Sequence, residues 1–192
     1  GTKRHSVSGD CARPGVYEYP LGVSVAQVLH DCGAHQPQAV QVGGPSGTCL
    51  AAPEFKRRLG FEDVPTAGAF MVFSAQRDMF EVAHHFAQFF AHESCGFCTP
   101  CRVGTQLVLR RMDKLALGHG SPWDLHELHA LEQLMHGTTH CGLGATATHV
   151  LRDTLQRFGP AFAARSPQAH LVPGFDLDAE LAPARRATGR TD

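Results

Sequence analysis

Apolar positions along the chain change their period once. Up to about Ser74 they alternate in short runs: HSVSGD, a break at Arg13-Pro14-Gly15, then VYEYP, the period-2 pattern of a hairpin. Ser24 is placed to cap a short helix through Val25, Val28 and Leu29 that stops at Gly33, and QAVQVGG and AFMVFS then predict two further strands. Two strands, a helix and returning strands predict a small α+β domain of β-grasp type over residues 1–74. Beyond it Phe80, Val82, Ala83, Phe86, Phe89 and Phe90 fall near one face of a helix over about 77–92. A second helix runs through Val103, Leu107, Val108 and Met112 and stops near Gly118. Ser121-Pro122 opens a third, lined by Leu125, Leu128, Leu131 and Met135. A fourth carries Val150, Leu151, Leu155 and Phe158 and ends at Gly159-Pro160. These links are short, which predicts a four-helix bundle over 75–160, with 161–192 left as an extended C-terminal tail around PGFDLD.

The loop between the first two bundle helices reads Glu93-Ser94-Cys95-Gly96-Phe97-Cys98-Thr99-Pro100-Cys101-Arg102. Its C-x-x-C-x-x-C spacing lets one compact loop offer three thiolates to one object. A cubane cluster has several irons, each needing one external thiolate beside its bridging sulfides, and this spacing suits it. The ferredoxin run would continue to a fourth cysteine four residues on, where this chain has Thr105, so a two-cluster ferredoxin is disfavoured. The fourth ligand is then Cys141, in His140-Cys141-Gly142-Leu143-Gly144 between the third and fourth helices. In an antiparallel bundle the first and third interhelix loops share one end, which brings Cys141 to Cys95, Cys98 and Cys101. A [4Fe-4S] cluster on these four residues is the expectation. The competing reading is a zinc-stabilised interaction module, since four cysteines, or three with His140, also make an ordinary zinc shell.

Composition narrows the rest. In 192 residues, 43% apolar, acidic and basic groups nearly cancel to a formal charge of -1, so nothing points to nucleic acid, and no apolar run approaches the length that crosses a bilayer. Seven cysteines, four of them at ligand spacing, argue for a reducing, cytoplasmic setting rather than a disulfide framework. Cys11, Cys32 and Cys49 stand at no ligand spacing and read as buried small hydrophobes. His84, His85, His126, His129 and His136 fall on predicted helices without matching acidic partners and read as solvated or packed side chains. Gly43-Gly44-Pro45-Ser46-Gly47-Thr48 lacks the lysine of a phosphate loop and reads as a turn.

ESCGFCTPCRVG joined to HCGLG resembles the C-terminal part of the NADH-oxidising flavoprotein subunits of respiratory complex I and its soluble relatives. SVSGDCARPGVYEYPLGVSV and VGGPSGTCL resemble that family's β-grasp ligand-binding-like domain, and RDMFEVAHHFAQFF resembles the approach to its cluster bundle. The resemblance implies the same four ligands, Cys95, Cys98, Cys101 and Cys141. It also implies one-electron transfer between FMN, which exchanges hydride with NAD, and the iron-sulfur chain of a partner subunit. Phe97, Val103, the CGLG run and PGFDLDAEL are more similar to the diaphorase flavoprotein of NAD-reducing hydrogenases than to complex I, with NAD-dependent formate dehydrogenase close behind. In that family an FMN- and NADH-binding domain with a glycine-rich loop precedes these segments. The expectation is therefore part of an NAD(H)-dependent oxidoreductase that holds no catalytic, FMN-binding or NAD-binding residues of its own. Its partners would be the flavin domain and an iron-sulfur electron-transfer subunit.

Overall fold

The computed structural model describes residues 1–171, 173 and 176–190. Strands β1 (Thr2–Gly9) and β2 (Gly15–Pro20) form the expected antiparallel hairpin. Helix α1 (Val25–Asp31) starts where Ser24 Oγ accepts the Gln27 N–H at 3.2 Å. Strands β3 (Pro37–Val42), β4 (Thr48–Ala51) and β5 (Ala69–Ser74) complete a sheet of order β2-β1-β5-β3-β4, with β1 and β5 parallel and the other pairs antiparallel. This is the β-grasp arrangement. Strand β4 was not predicted; the glycine-rich segment is the turn joining it to β3.

Alternation splits the central strands between two cores. Val40, Val42, Phe70 and Val72 face α1 and pack with Val25, Val28 and Leu29. Ala39, Cys49 and Phe73 lie in a second cluster with Met79, Val82 and Phe86, so the sheet is covered on both sides and β3 is buried from Ala39 to Val42.

The bundle is built from α2 (Met79–Glu93), α3 (Thr99–Ala116) and α4 (Pro122–Thr138). The predicted fourth helix is α6 (His149–Arg157), and a short helix that the pattern did not predict, α5 (Gly142–Thr146), precedes it. Thr146 Oγ1 donates back to Gly142 O at 2.7 Å, the kind of side-chain bond that competes with a continuing helix. The phenylalanine stripe of α2 also divides. Phe80 and Phe90 enter the bundle core with Met112, Leu115, Leu128 and Met135, whereas Phe86 turns to the sheet and Phe89 stays exposed.

The tail is not simply extended. Pro160 lies in the first turn of α7 (Gly159–Ala163), whose Phe162 packs edge-on against Phe80 at 5.2 Å. The Arg165 guanidinium lies over the other side of that contact, 4.3 Å from the Phe80 ring centre. Helix α8 (Leu177–Thr188) begins where Asp176 Oδ1 accepts the N–H groups of Asp178 and Ala179, and it is exposed. Gly174 and Phe175 of the PGFDLD segment lie outside the described residues. No helix among the described residues is long and apolar enough to cross a membrane.

Helix α6 fastens the bundle to the sheet. Buried Asp153 accepts the Cys49 N–H of β4 at 2.9 Å, and Arg157 grips Glu54 through two hydrogen bonds of 2.5 and 2.8 Å. At the ends of the interior strands β1 and β5, Asp10 accepts from Ser74 N and from Arg77, which leads into α2. These donors hold the Asp10 carboxyl well below the usual carboxylate range, Arg77 contributing most.

Candidate metal centre

Helix α2 gives out at Ser94, whose N–H still reaches Phe90 O at 3.1 Å while its backbone turns extended. Gly96 then adopts φ 76°, a conformation that side chains with a Cβ resist, and the chain reverses into α3 within a few residues. Cys98 occupies the N-cap of α3 and Pro100 its first turn. The three cysteines consequently meet different surroundings: Cys95 is exposed, Cys98 half-buried and Cys101 buried. The loop is tied internally. Arg102 Nη1 donates to Gly96 O at 2.6 Å, Thr105 Oγ1 donates to Cys101 O at 2.8 Å, and Ser94 Oγ lies 3.3 Å from Cys101 Sγ.

The second loop approaches as the bundle topology requires. Helix α4 ends at Thr138, and Cys141 sits exposed at the N-cap of α5. The backbone N–H groups of His140 and Cys101 near the Cys98 sulfur, His140 first, hold that thiol below its usual range, and the Arg102 charge acts in the same direction. Phe97 and His140 rings meet at 5.3 Å. Below the loops α3 and α4 close on each other at Gly104, where a Cβ would stand 2.7 Å from Met135 Sδ.

The structure thus joins the loop of Cys95, Cys98 and Cys101 to the loop of Cys141 through the Phe97–His140 contact. It does not gather them on a point: among the described residues no three Cys, His, Asp or Glu side chains form a shell around one ion. A zinc ion would need its donors at about 2.0–2.3 Å from a single centre. A polynuclear cluster needs one thiolate for each of several irons, so donors spread over two touching loops fit it better. The seven cysteines are free thiols. The positive end of α3, the backbone N–H groups at Cys98 and the nearby guanidinium all suit an anionic occupant.

One histidine expectation needs correction. His84 is not without an acidic partner: its Nε2 lies 2.6 Å from Asp113 Oδ1, across from α2 to α3. No local pattern joins residues on different helices, so the pair had no signature in the sequence. His85 and His129 are exposed, His126 packs on Trp123, and His136 lies beside His149, 6.1 Å between ring centres.

A β-grasp sheet is thus locked to a helical bundle that brings two cysteine loops to one end. Residues 81–165 match the NADH-ubiquinone oxidoreductase-F iron-sulfur binding region. The chain is 39% identical over 184 residues to the NAD-reducing hydrogenase HoxS subunit alpha of Cupriavidus necator, covering 94% of this chain and 31% of that protein. It is 32% identical to the NADP-reducing hydrogenase subunit HndC of Solidesulfovibrio fructosivorans (85% of this chain, 36% of that one). It is also 32% identical to an NADH-quinone oxidoreductase subunit of Rhizobium meliloti (85% and 42%). A crystal structure of NAD+-reducing [NiFe]-hydrogenase in the H2-reduced state matches it with a TM-score of 0.91 and 46% identity, covering 100% of this chain and 34% of that one. The chain therefore spans about a third of the length of the first relatives it matches.

Proposed function

We propose that Cys95, Cys98, Cys101 and Cys141 hold one [4Fe-4S] cluster and that the chain relays single electrons in an NAD-linked oxidoreductase. The observation that carries this reading is the meeting of Phe97 and His140, rings 5.3 Å apart, which brings the three-cysteine loop against the loop of the fourth. When bound, the cluster supplies a one-electron carrier. The chain's own residues position the thiolates, direct N–H groups of Cys101 and His140 toward sulfur, and place Arg102 beside an anionic group. Phe97 stands exposed at that end with its ring against His140.

We assign no hydride chemistry to these residues. In our reading FMN and NAD are bound by a flavin domain of the same subunit, and the cluster passes electrons between that flavin and an iron-sulfur partner subunit. Residues 1–74 act as the scaffold on which residues 75–160 are braced, and Phe162 and Arg165 of the 161–192 tail pack against Phe80. Membership of an NAD-reducing hydrogenase diaphorase is favoured over complex I by the higher identity to the HoxS alpha subunit, 39% against 32%, with an NAD-dependent formate dehydrogenase as the alternative. A cytoplasmic location belongs to the same reading, since thiols serving as ligands need a reducing compartment.

Anaerobic reconstitution of the chain with iron and sulfide tests the reading. The expected product contains iron and sulfide in equal amounts and shows a visible absorption that dithionite bleaches, and Cys141→Ala loses most of it. A colourless protein that takes up zinc and neither iron nor sulfide would overturn the proposal.

A further inference from the structure

Two cysteines outside the cluster loops meet in the fold. Cys11 lies in the turn after β1, and Cys32 caps the C-terminal end of α1. The turn runs antiparallel to residues 32–34. Ala12 N donates to Gly33 O at 3.0 Å, Arg13 N donates to Cys32 O at 2.9 Å, and Cys11 pairs with Ala34 as a β-bridge. Arg13 adds two side-chain hydrogen bonds to Asp31 O, at 3.1 and 2.7 Å. The backbones on both sides are therefore fixed, Cys11 packs against the core cluster that contains Cys32, and the Cys32 thiol donates to Leu29 O at 3.3 Å. Exposure is unequal: Cys11 is partly open to solvent and Cys32 is fully buried.

We infer that Cys11 and Cys32 are a reversible dithiol–disulfide pair, oxidised by small-molecule disulfides and placed to staple the β1–β2 turn to the end of α1. The geometry carries it: two cysteines on facing segments that are hydrogen-bonded to each other and packed into one core, with an accessible thiol to react first and a sheltered one to resolve. Burial and the neighbouring Cys11 push Cys32 up to about 11, so it keeps its proton at neutral pH and the first attack belongs to Cys11.

The chemistry balances as two exchanges. The Cys11 thiolate attacks a small disulfide, forming a Cys11 mixed disulfide and releasing one small thiolate. Cys32 then attacks the Cys11 sulfur, gives its proton to the departing thiolate, and closes the Cys11–Cys32 bond. Two protein thiols are oxidised by two electrons, and one small disulfide is reduced to two thiols. The neighbouring Asp10 holds Ser74 N and Arg77, so the staple closes one residue from the tie between the sheet and the lead into α2.

The test uses the full, cluster-reconstituted chain, treated anaerobically with oxidised or reduced glutathione, quenched with an alkylating agent, digested and weighed. The expected result is a peptide pair linked through Cys11 and Cys32, lighter by two hydrogens than the sum of the free peptides and abolished by dithiothreitol. In Cys32→Ser, Cys11 should instead accumulate as a glutathione adduct, and in Cys11→Ser, Cys32 should stay free. A wild-type chain in which Cys11 stops at the adduct, or in which both thiols alkylate equally after either treatment, would overturn the inference, and neither result depends on a variant folding.

Discussion

Asp124 offers a direct test of what holds α3 and α4 in place beneath the cysteine loops. Its side chain is fully buried and accepts five hydrogen bonds from four donors. Lys114 Nζ lies 2.8 and 2.9 Å from its two oxygens, Arg111 Nη1 at 2.9 Å, Ser121 N at 2.9 Å and Ser121 Oγ at 2.8 Å. Lys114 is itself buried, so Asp124→Asn leaves an ammonium without its counter-charge and turns an amide NH2 toward donors. Removing one member of such a pair costs about 3–5 kcal/mol, a large share of the roughly 5–15 kcal/mol that typically separates folded from unfolded. Replacing both members, Asp124→Leu with Lys114→Met, removes the stranded charge. The Ser121 N–H at the start of α4 then remains orphaned, at about 1 kcal/mol. The double variant is therefore expected to recover most of the loss. The pair also has a pH signature. Burial alone would raise Asp124, but the bonds from Lys114 and Ser121 outweigh it and hold the carboxyl below its ordinary range. With the folded value depressed, the stability it contributes is present above the unfolded value of about 3.9 and is lost as pH falls through the folded one. Urea unfolding followed by circular dichroism, repeated from neutral to acid pH, measures both effects. A loss under about 1 kcal/mol in Asp124→Asn, or a double variant no better than the single, would refute the reasoning.

Three further outcomes follow from the packing. Gly104→Val should lower stability by about 1–3 kcal/mol in urea unfolding although glycine is a poor helix former, because Met135 fills the space a side chain would need. Asp153→Ala should strand the buried Cys49 N–H at a cost of about 1–3 kcal/mol and speed hydrogen exchange at that amide, where Asp153→Asn, which keeps an acceptor, should do so much less. His5 is buried edge-on to Phe70 with its Nδ1 unpartnered, and burial with the Lys3 charge lowers it below about 6.5. Because its folded value is the lower one, its stability contribution is intact above pH about 6.5 and declines as the pH falls toward that value, so His5→Leu should flatten that part of the stability–pH curve. His149, lowered by burial and Arg152, titrates with the same sign and should leave part of the slope in place.

What could be read from the chain in advance was whatever has a local period or a local spacing. The stripe through Phe80, Ala83 and Phe90 announced α2, Ser24 announced α1, and C-x-x-C-x-x-C announced a metal loop. Strand β4 escaped because it is only Thr48–Ala51, too short to alternate visibly. Helix α8 escaped because Pro183, usually a helix breaker, lies within it. The fastening of Cys49 to Asp153 and the meeting of Cys11 with Cys32 join residues far apart in the chain, and no window of sequence carries such a signal. Nor does a stripe reveal which of its members turns elsewhere: Phe86 faces the sheet because that surface of α2 meets Ala39 and Cys49 rather than α3.

Those long-range contacts bear on the site more than the loops' own bonds do. The first cysteine loop hangs from the C-terminal end of α2, whose N-terminal turn is seated on the sheet through Met79 and Val82 and held to the tail by the Asp78–Arg165 pair. The second loop leads through α5 into α6, which is seated on the same sheet through Asp153 and Arg157. Both flanks of the site thus refer to one rigid object, and the separation of the loops is set by the sheet and by the α3–α4 contact at Gly104 before any thiolate binds. A carrier that gains and loses single electrons benefits from a frame that does not rearrange between its states. The β-grasp unit, which contributes no ligand in this reading, supplies that frame by bracing both helices from which the ligands are presented.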